Sequence, residues 1–392
     1  MNLIAEVVFW ACIFIVFYAY LGYGMVLYGI VKLKRIFKGK FSIDDLTDYH
    51  EVTHLIAAYN EEDFIAEKIE NSLSVDYPKD KMKVMVVTDG SNDSTAEIVS
   101  GYTDVTSFHK DERKGKIHAV NRVMEHVKTP IIIFSDANTL LNEDAIKNIV
   151  RHYDNPKVGG VAGEKRILKK TKDNAAGAGE GLYWRYESFL KKLDSELYSV
   201  VGAAGELFSL RTELYEPVKA DTIIEDFYLT LNIASKGYII RYEPDAYATE
   251  TSSESVGEEF KRKVRIAAGG FQSIVRLRKL LNIFKYGWLS FQYTSHRVLR
   301  WTLAPLALLL ALLTNAWLAI DNWFYMALLV LQILFYILGL IGYRLQKRDI
   351  KVKVLFVPFY FSMMNWAVYL GFRKYLLGNQ SVVWEKAKRA KA

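Results

Sequence analysis

Ser135-Asp136-Ala137-Asn138 follows the apolar run Ile131–Phe134. An Asp and an Asn two residues apart after a buried strand can hold a hard divalent cation through oxygen, with a diphosphate supplying the remaining ligands. Two further polar clusters follow apolar runs in the same way, Ala58-Tyr59-Asn60-Glu61 and Thr88-Asp89-Gly90-Ser91-Asn92-Asp93-Ser94-Thr95. In a parallel α/β sheet, ligands sit at the carboxyl ends of strands, so carboxylates there are placed to meet one, and two such ends point to a nucleotide. The second cluster also reads as a turn with a helix cap. The basic run Arg113-Lys114-Gly115-Lys116 offers charge for phosphate, and Ile224-Glu225-Asp226 places two acids where a helical stretch opens. Acids at a helix start also complement its dipole, so the pair taken alone reads as structural. No GxxxxGK[ST] or GxGxxG occurs, which argues against a P-loop ATPase and a dinucleotide enzyme. The single Cys12 excludes a Cys-based zinc site and an intrachain disulfide.

These clusters need a scaffold. Between about residues 50 and 255, β-branched runs (HLIAAYN, KVMVVTDG, PIIIFSDAN, GGVAG) alternate with polar helical stretches, the pattern of a mostly parallel sheet covered on both faces. The whole chain has 392 residues, a net charge of +7 and 51% hydrophobic residues. Its mean hydropathy of +0.05 is high for a chain with 24% charged residues, so the apolar residues must be concentrated in separate segments. Val7 to Val31 is nearly all apolar, longer than the roughly 20 residues that cross a bilayer as a helix. It lacks the positive start of a cleavable signal and is expected to remain as an anchor. Lys32, Lys34, Arg35, Lys38 and Lys40 follow it and place the next domain in the cytoplasm. Leu303–Ile320 and Phe324–Tyr343 form a spanning hairpin that returns to Arg344, Lys347, Arg348, Lys351 and Lys353. Residues 256–282 carry an apolar stripe (Phe260, Val264, Ala267, Phe271, Ile274) and a basic one (Arg262, Arg265, Arg276), suited to a helix lying at the interface or to an ordinary surface helix. Leu355–Phe372 contains Pro358, Ser362 and Asn365 and precedes a basic tail, so it is expected not to cross, leaving the C-terminus cytosolic.

The order AYNE, TDGSNDST, RKGK with Asn121, SDAN, IIED and the basic helix RKVRIAAG, followed by spans, resembles the membrane-embedded family-2 glycosyltransferases, among them hyaluronan, chitin, poly-N-acetylglucosamine and cellulose synthases. The resemblance implies that Tyr59, Glu61 and Asp89 hold the nucleotide base and ribose, and that Lys116 lies near the nucleotide. It implies that Asp136 is the first acid of a DxD metal motif with Asn138 in place of the second, and that Gly205 belongs to the glycine-rich segment beside the acceptor. Asp226, after Glu225, matches the catalytic base. Arg262 to Ile266 lies where the family has QxxRW, which puts Arg262 and Arg265 beside acceptor and diphosphate. Trp384, with Glu385 and Arg389, resembles a Trp-to-Arg motif at the active site of some synthases. Arg262 for Gln and Ile266 for the stacking Trp depart from the processive pattern.

The expected fold is α/β, a GT-A, Rossmann-like cytosolic domain with an N-terminal transmembrane helix and C-terminal interfacial and transmembrane helices. The expected divisions are 1–40 (anchor and basic flank), 41–255 (GT-A domain), 256–300 (interfacial helices) and 301–392 (hairpin, third apolar segment and tail). The expected activity is inverting transfer from a nucleotide-sugar, most often a UDP-sugar in the resembling enzymes, with Mg²⁺ or Mn²⁺, at a multi-pass protein of the inner (plasma) membrane. Polysaccharide synthesis is favoured over single-sugar transfer to a lipid-linked or envelope acceptor, and a non-catalytic nucleotide-sugar sensor is the minor alternative. The expected partners are the donor, a glycan or lipid-linked acceptor and the bilayer, with no nucleic acid; a polymer channel would call for a homo-oligomer or an export partner.

Overall fold

The computed structural model describes residues 2–43, 46, 48–168, 175–251, 255–346 and 352–378, without the side chains of 168–183 and 353. Trp384, Glu385 and Arg389 lie outside the described residues, as does the basic tail beyond residue 378. Eight strands form one sheet: β1 (Val52–Ala58), β2 (Met82–Asp89), β3 (Val105–Lys110), β4 (Ile131–Asp136), β5 (Leu140–Leu141), β6 (Val158–Leu168), β7 (Leu207–Arg211) and β8 (Ile239–Thr251). Their order is β3-β2-β1-β4-β7-β6-β8-β5. β1 is buried along its whole length and β4 nearly so, as expected of central strands with a layer on each face. The chain steps from β1 outward to β2 and β3, then returns to lay β4 on β1's other side. The carboxyl ends of β1 and β4 therefore flank a switch point, where an open α/β sheet leaves a crevice.

The sheet is mostly parallel, with β1, β2, β3, β4, β6 and β8 running the same way, but it is mixed. β7 runs antiparallel to both β4 and β6, and β5 antiparallel to β8. The physical reason lies in LFSLR, which enters the sheet from a loop at the crevice end, so it can only run back down between its neighbours.

Among the described residues, nine helices position the site: α1 (Asn2–Phe17), α2 (Tyr23–Lys38), α3 (Lys116–Met124), α4 (Ala175–Leu197), α5 (Glu225–Ala234), α6 (Val256–Arg276), α7 (Leu303–Leu318), α8 (Trp323–Gln346) and α9 (Lys353–Leu377). A π-helical turn, Tyr18–Gly22, joins α1 to α2 in one 37-residue apolar helix. Its halves have different surroundings. Phe9 and Cys12 of α1 pack on Ala307 and Ala311 of α7. Tyr23, Leu27 and Val31 of α2 pack on Leu190, Leu193 and Leu197 of α4 in the sheet domain. The basic flank continues this docking: Lys34 donates to the Glu196 and Leu197 carbonyls at 2.6 and 2.8 Å, and Arg35 pairs with Glu196 at 2.6 Å.

Asn2–Lys38, Trp323–Gln346 and Val354–Leu377 are long and apolar enough to cross a membrane, and the pair Trp288–Trp301 with α7, bent by 49°, brings the candidates to as many as four. α6 does not lie bare on a surface. A Cβ on its Gly269 would stand 2.9 Å from Ile224, and one on Gly371 of α9 would stand 2.6 Å from Ala267, so α6 is clasped between the sheet domain and α9. Its small residues Ala267, Ala268, Gly269 and Gly270 permit that close approach on both faces.

Candidate active site

A cavity of about 1030 Å³ opens over the carboxyl ends of β1 and β4 and continues to the apolar helices. Its polar half is built from four segments. β1 ends in Tyr59 and Glu61, with Asn60 in the left-handed region (φ 53°) turning the chain so that Glu61 is buried at the wall. β4 delivers Asp136 and Asn138. Gly115 (φ 95°) opens α3, whose first residue, Lys116, sends its ammonium across the floor. The first turn of α5 contributes Glu225 and Asp226.

Lys116 Nζ lies 2.7 Å from Asp136 Oδ1 and 2.9 Å from Glu225 Oε1. Burial alone would lower the lysine's pKa, but the two carboxylates outweigh it and hold it above its ordinary value. Burial raises Asp136, a rise that Lys116 partly offsets. Burial would also raise Glu225, yet Lys116 brings it below the carboxylate norm. Asp226 makes no ion pair among the described residues; burial first, and then the neighbouring Glu225 charge, push its pKa up to about 7, the pull of the Phe227 backbone N–H and of Lys116 being the smaller effect. Two adjacent acids thus take opposite directions, one an ion-pair member and one a carboxylate poised to exchange a proton near neutrality.

Gly205 stands where these groups converge. A Cβ there would lie 3.5 Å from Asp226 Oδ2, 3.6 Å from Lys116 Nζ and 3.9 Å from Asp136 Oδ2. A side chain would therefore fill the space in which a reacting atom could sit.

Most of the candidate residues meet in this cavity: Tyr59, Glu61, Lys116, Asp136, Asn138, Gly205, Glu225, Asp226, Arg262 and Arg265 all line it. Arg113 stacks on Tyr59 with its guanidinium carbon 3.8 Å from the ring centre. Asp89 is placed differently. Its carboxylate accepts from the backbone N–H of Lys114 at 3.1 Å and of Gly115 at 2.6 Å, fixing the loop that launches Lys116, and it lines only a small adjoining recess with Tyr59 and Arg113. Arg265 donates to the Ile223 carbonyl at 3.2 Å, beside the Glu225–Asp226 turn, whereas Arg276, which does not line the cavity, donates to Thr222 and Asp221. Arg262 pairs with Glu259 at 2.8 Å and lies 4.0 Å from Glu206.

Sequence reading misses the opposite wall. Glu206, next to Gly205, pairs with the buried Lys165 at 2.6 Å; Trp184, Glu187, Lys191, Arg297 and Arg300 also line the cavity. An acid adjoining the glycine-rich segment is a usable signal for Glu206. The others come from two helical segments about a hundred residues apart, and no local spacing announces them.

Among the described residues no group of three His, Cys, Asp or Glu is arranged to hold a metal. Lys116 takes Asp136 Oδ1, while Oδ2 faces the Gly205 space and Asn138 shares the same wall. This is a two-residue oxygen set that fits a hard cation only when other oxygens complete it.

Comparison with known proteins supports this reading of the fold. Residues 53–218 match the family model "Glycosyl transferase family 2". A poly-beta-1,6-N-acetyl-D-glucosamine synthase of Staphylococcus aureus is 28% identical over 247 residues, 61% of this chain and 58% of that protein. The Staphylococcus epidermidis synthase is 25% identical over 261 residues, 64% of this chain and 62% of that protein. The chain thus spans about three-fifths of the length of the curated relatives it matches. A Pyrobaculum calidifontis mannosyltransferase, solved in complex with GDP-Man and Mn²⁺, superposes with a TM-score of 0.74 at 23% identity, covering 96% of this chain and 100% of that one. It shares the arrangement of sheet and apolar helices. Residues 53–218 are thus similar to a glycosyltransferase family 2 domain, and the chain has a GT-A-type mixed sheet joined to apolar helices that are candidate membrane spans.

Proposed function

We propose that this protein transfers a sugar from a nucleoside-diphosphate sugar to an acceptor hydroxyl with inversion, in the synthesis of an extracellular or cell-envelope glycan. The observation that carries the reading is the convergence of Asp226, Lys116 and Asp136 on the space at Gly205. In that space the anomeric carbon would lie between the two sides of the cavity. Asp226 would take the proton of the acceptor hydroxyl as its oxygen attacks, and the bond from the anomeric carbon to the diphosphate would break on the far side. A base with a pKa near 7 is charged often enough to act and basic enough to accept the proton. Lys116 would meet the leaving diphosphate, whose negative charge grows as the bond breaks. Glu225 holds the lysine's ammonium in place. Arg265, beside the Asp226 turn, would add a second cation on the diphosphate side.

Asp136 and Asn138 would hold Mg²⁺ or Mn²⁺ together with diphosphate oxygens, and the ion would supply further charge compensation to the leaving group. Tyr59 and Glu61 would bound the nucleoside. Asp89 would act through the loop it fixes.

The family match, the polysaccharide synthases among the relatives and the mannosyltransferase with GDP-Man and Mn²⁺ support the reaction class. They leave UDP- and GDP-sugars as the donors to compare. The test is release of nucleotide by the purified full chain from a panel of both donor types, with Mg²⁺ or Mn²⁺ and after chelation, and sizing of the products. Metal-dependent release from one donor, absent in Asp136→Ala, is the expected result. A wild-type protein that releases no nucleotide from any of them, with any acceptor, overturns the reading.

A further inference from the structure

The apolar half of the cavity holds a second set of charges that the proposed chemistry does not use. Lys191 of α4 is 2% exposed and lines the cavity, and its ammonium has no hydrogen-bond or ion-pair partner among the described residues. It lies over two ring faces, Trp184 at 5.4 Å and Tyr242 at 5.7 Å. Burial holds it below its ordinary pKa; Glu164, at longer range, partly offsets this, and Arg297 adds a like-charge repulsion. Arg297 and Arg300 line the same wall and share one carboxylate, Glu187, at 3.1 and 2.6 Å. A buried ammonium without a counter-ion in contact is costly, and a ligand bringing negative charge would remove that cost.

The rim beside these cations is hydrocarbon and aromatic. Leu21, in the π-helical turn between α1 and α2, and Val357, in the first turns of α9, both line the cavity while remaining 53% and 55% exposed on its outside. Tyr20 and Phe361 meet edge to face at 4.9 Å between them, and Tyr20 donates to Asn365 at 2.7 Å. This opening lies where the apolar helix α1 gives way to α2, which is docked on the sheet domain. Leu21 and Val357 belong to two of the candidate membrane spans, and they line the same cavity as the cations and Asp226.

We infer that this wall is an acceptor subsite for a phosphorylated lipid, the hydrocarbon chain leaving between α1 and α9 and the phosphate resting on Lys191, Arg297 and Arg300. The inference rests on the glycosyl-transfer reading and names its acceptor class: the hydroxyl presented to Asp226 belongs to the headgroup, or to a glycan already attached to it. A soluble sugar phosphate would use the same cations and leave the apolar rim empty.

Binding separates these cases without turnover. The full chain in detergent micelles is titrated with farnesyl phosphate, farnesol and inorganic phosphate, and binding of a fluorescent nucleoside diphosphate serves as the check on folding. Farnesyl phosphate should bind at least about tenfold more tightly than farnesol, the worth of one charged hydrogen bond to phosphate. Lys191→Gln should abolish that preference while retaining nucleotide binding, Lys191→Arg should restore it, and Asp226→Asn should keep it. Equal affinity for farnesol and farnesyl phosphate, or a preference unchanged in Lys191→Gln, would overturn the subsite. Inorganic phosphate binding as tightly as farnesyl phosphate, in a manner that depends on Lys191, would overturn the lipid and assign the wall to a soluble phosphate. Failure of the glycosyl-transfer reading would be seen separately, as absent nucleotide release with the farnesyl phosphate preference intact.

Discussion

Asp226→Asn should remove activity and stabilise the protein at once, with a pH dependence fixed by the site. The carboxyl group has a pKa of about 7 in the folded chain against an ordinary 3.8. Its charged form is therefore disfavoured by folding, and the difference corresponds to ~4 kcal/mol at most. Solvent at the cavity wall and the shared field of Lys116 and Glu225 screen it, so about 1 to 3 kcal/mol is the working figure. Between pH 4 and pH 7 the folded protein binds more protons than the unfolded chain, so stability falls as pH rises through that window and is flat above it. Asn keeps the shape and carries no charge. Its advantage should be absent at pH 4, grow towards pH 7 and remain constant beyond. Thermal unfolding of both proteins in detergent from pH 4 to 8.5 measures this, and nucleotide release at saturating acceptor should fall by roughly 10² to 10⁴ in the same variant. In the wild type, kcat/KM should rise with pH through about 7 and level off. A stability difference independent of pH, or near-normal turnover in the variant, would refute the assignment of Asp226 as the base.

Arg265→Lys should lower kcat/KM by more than about tenfold, because an ammonium cannot reproduce the guanidinium's planar fork, whereas Arg276→Lys, outside the cavity, should be mild; steady-state kinetics on both decide it, and equal small effects would make the basic stripe a solvated face. Gly205→Val should abolish transfer and leave the fold's thermal transition within a few degrees, since its side chain would occupy the space among Asp226, Lys116 and Asp136; full activity would move the reaction elsewhere. A Cys placed at Ala392 in a Cys12→Ser background should resist a membrane-impermeant thiol reagent in intact cells and react after permeabilisation, because α9 packs on α6 beside the sheet domain and on the last turns of α8. Labelling in intact cells would make α9 a full span.

The polar strand ends are legible because a buried strand that stops in Asp, Asn or Glu has few structural reasons to do so. Asp136, Asn138, Tyr59 and Glu61 all reach the cavity on that logic. Asp89 looks the same in sequence but serves a different purpose. The two N–H groups that occupy it belong to a loop more than twenty residues away, a distance no local pattern encodes. β7 is not legible, since five residues of mixed polarity give no direction. Pro358 and Asn365 suggest an interrupted segment, yet α9 is one helix. Pro358 lies in its second turn, and the missing side chains of Gly339 and Gly342 let α8 pack against the backbone of Pro358 and Leu355. The wall of Lys191, Arg297 and Arg300 is invisible in sequence because its cations come from separate helical segments and become a group only in three dimensions.

The same geometry bears on whether the product is a polymer. A chain extended at Asp226 must leave by a polar route one sugar wide along its whole length, and the described helices bound the apolar end of the cavity with α9, whose Phe356, Tyr360, Phe361 and Met364 face it. α9 is fixed there from both sides: Phe271 of α6 packs on Phe372 at 4.9 Å, and Tyr369 donates to the Pro305 carbonyl at the start of α7 at 2.5 Å. An opening at the Leu21–Val357 rim suits a flexible hydrocarbon tail that lies along the helices, since such a tail needs no hydrogen-bond partners there. A hydrated glycan would need partners for every hydroxyl it carried past that rim. On the proposed reading, the cavity therefore serves one acceptor at a time, entering from the bilayer with its lipid still in it, and Ile266 in place of a stacking Trp is the sequence counterpart of that restriction.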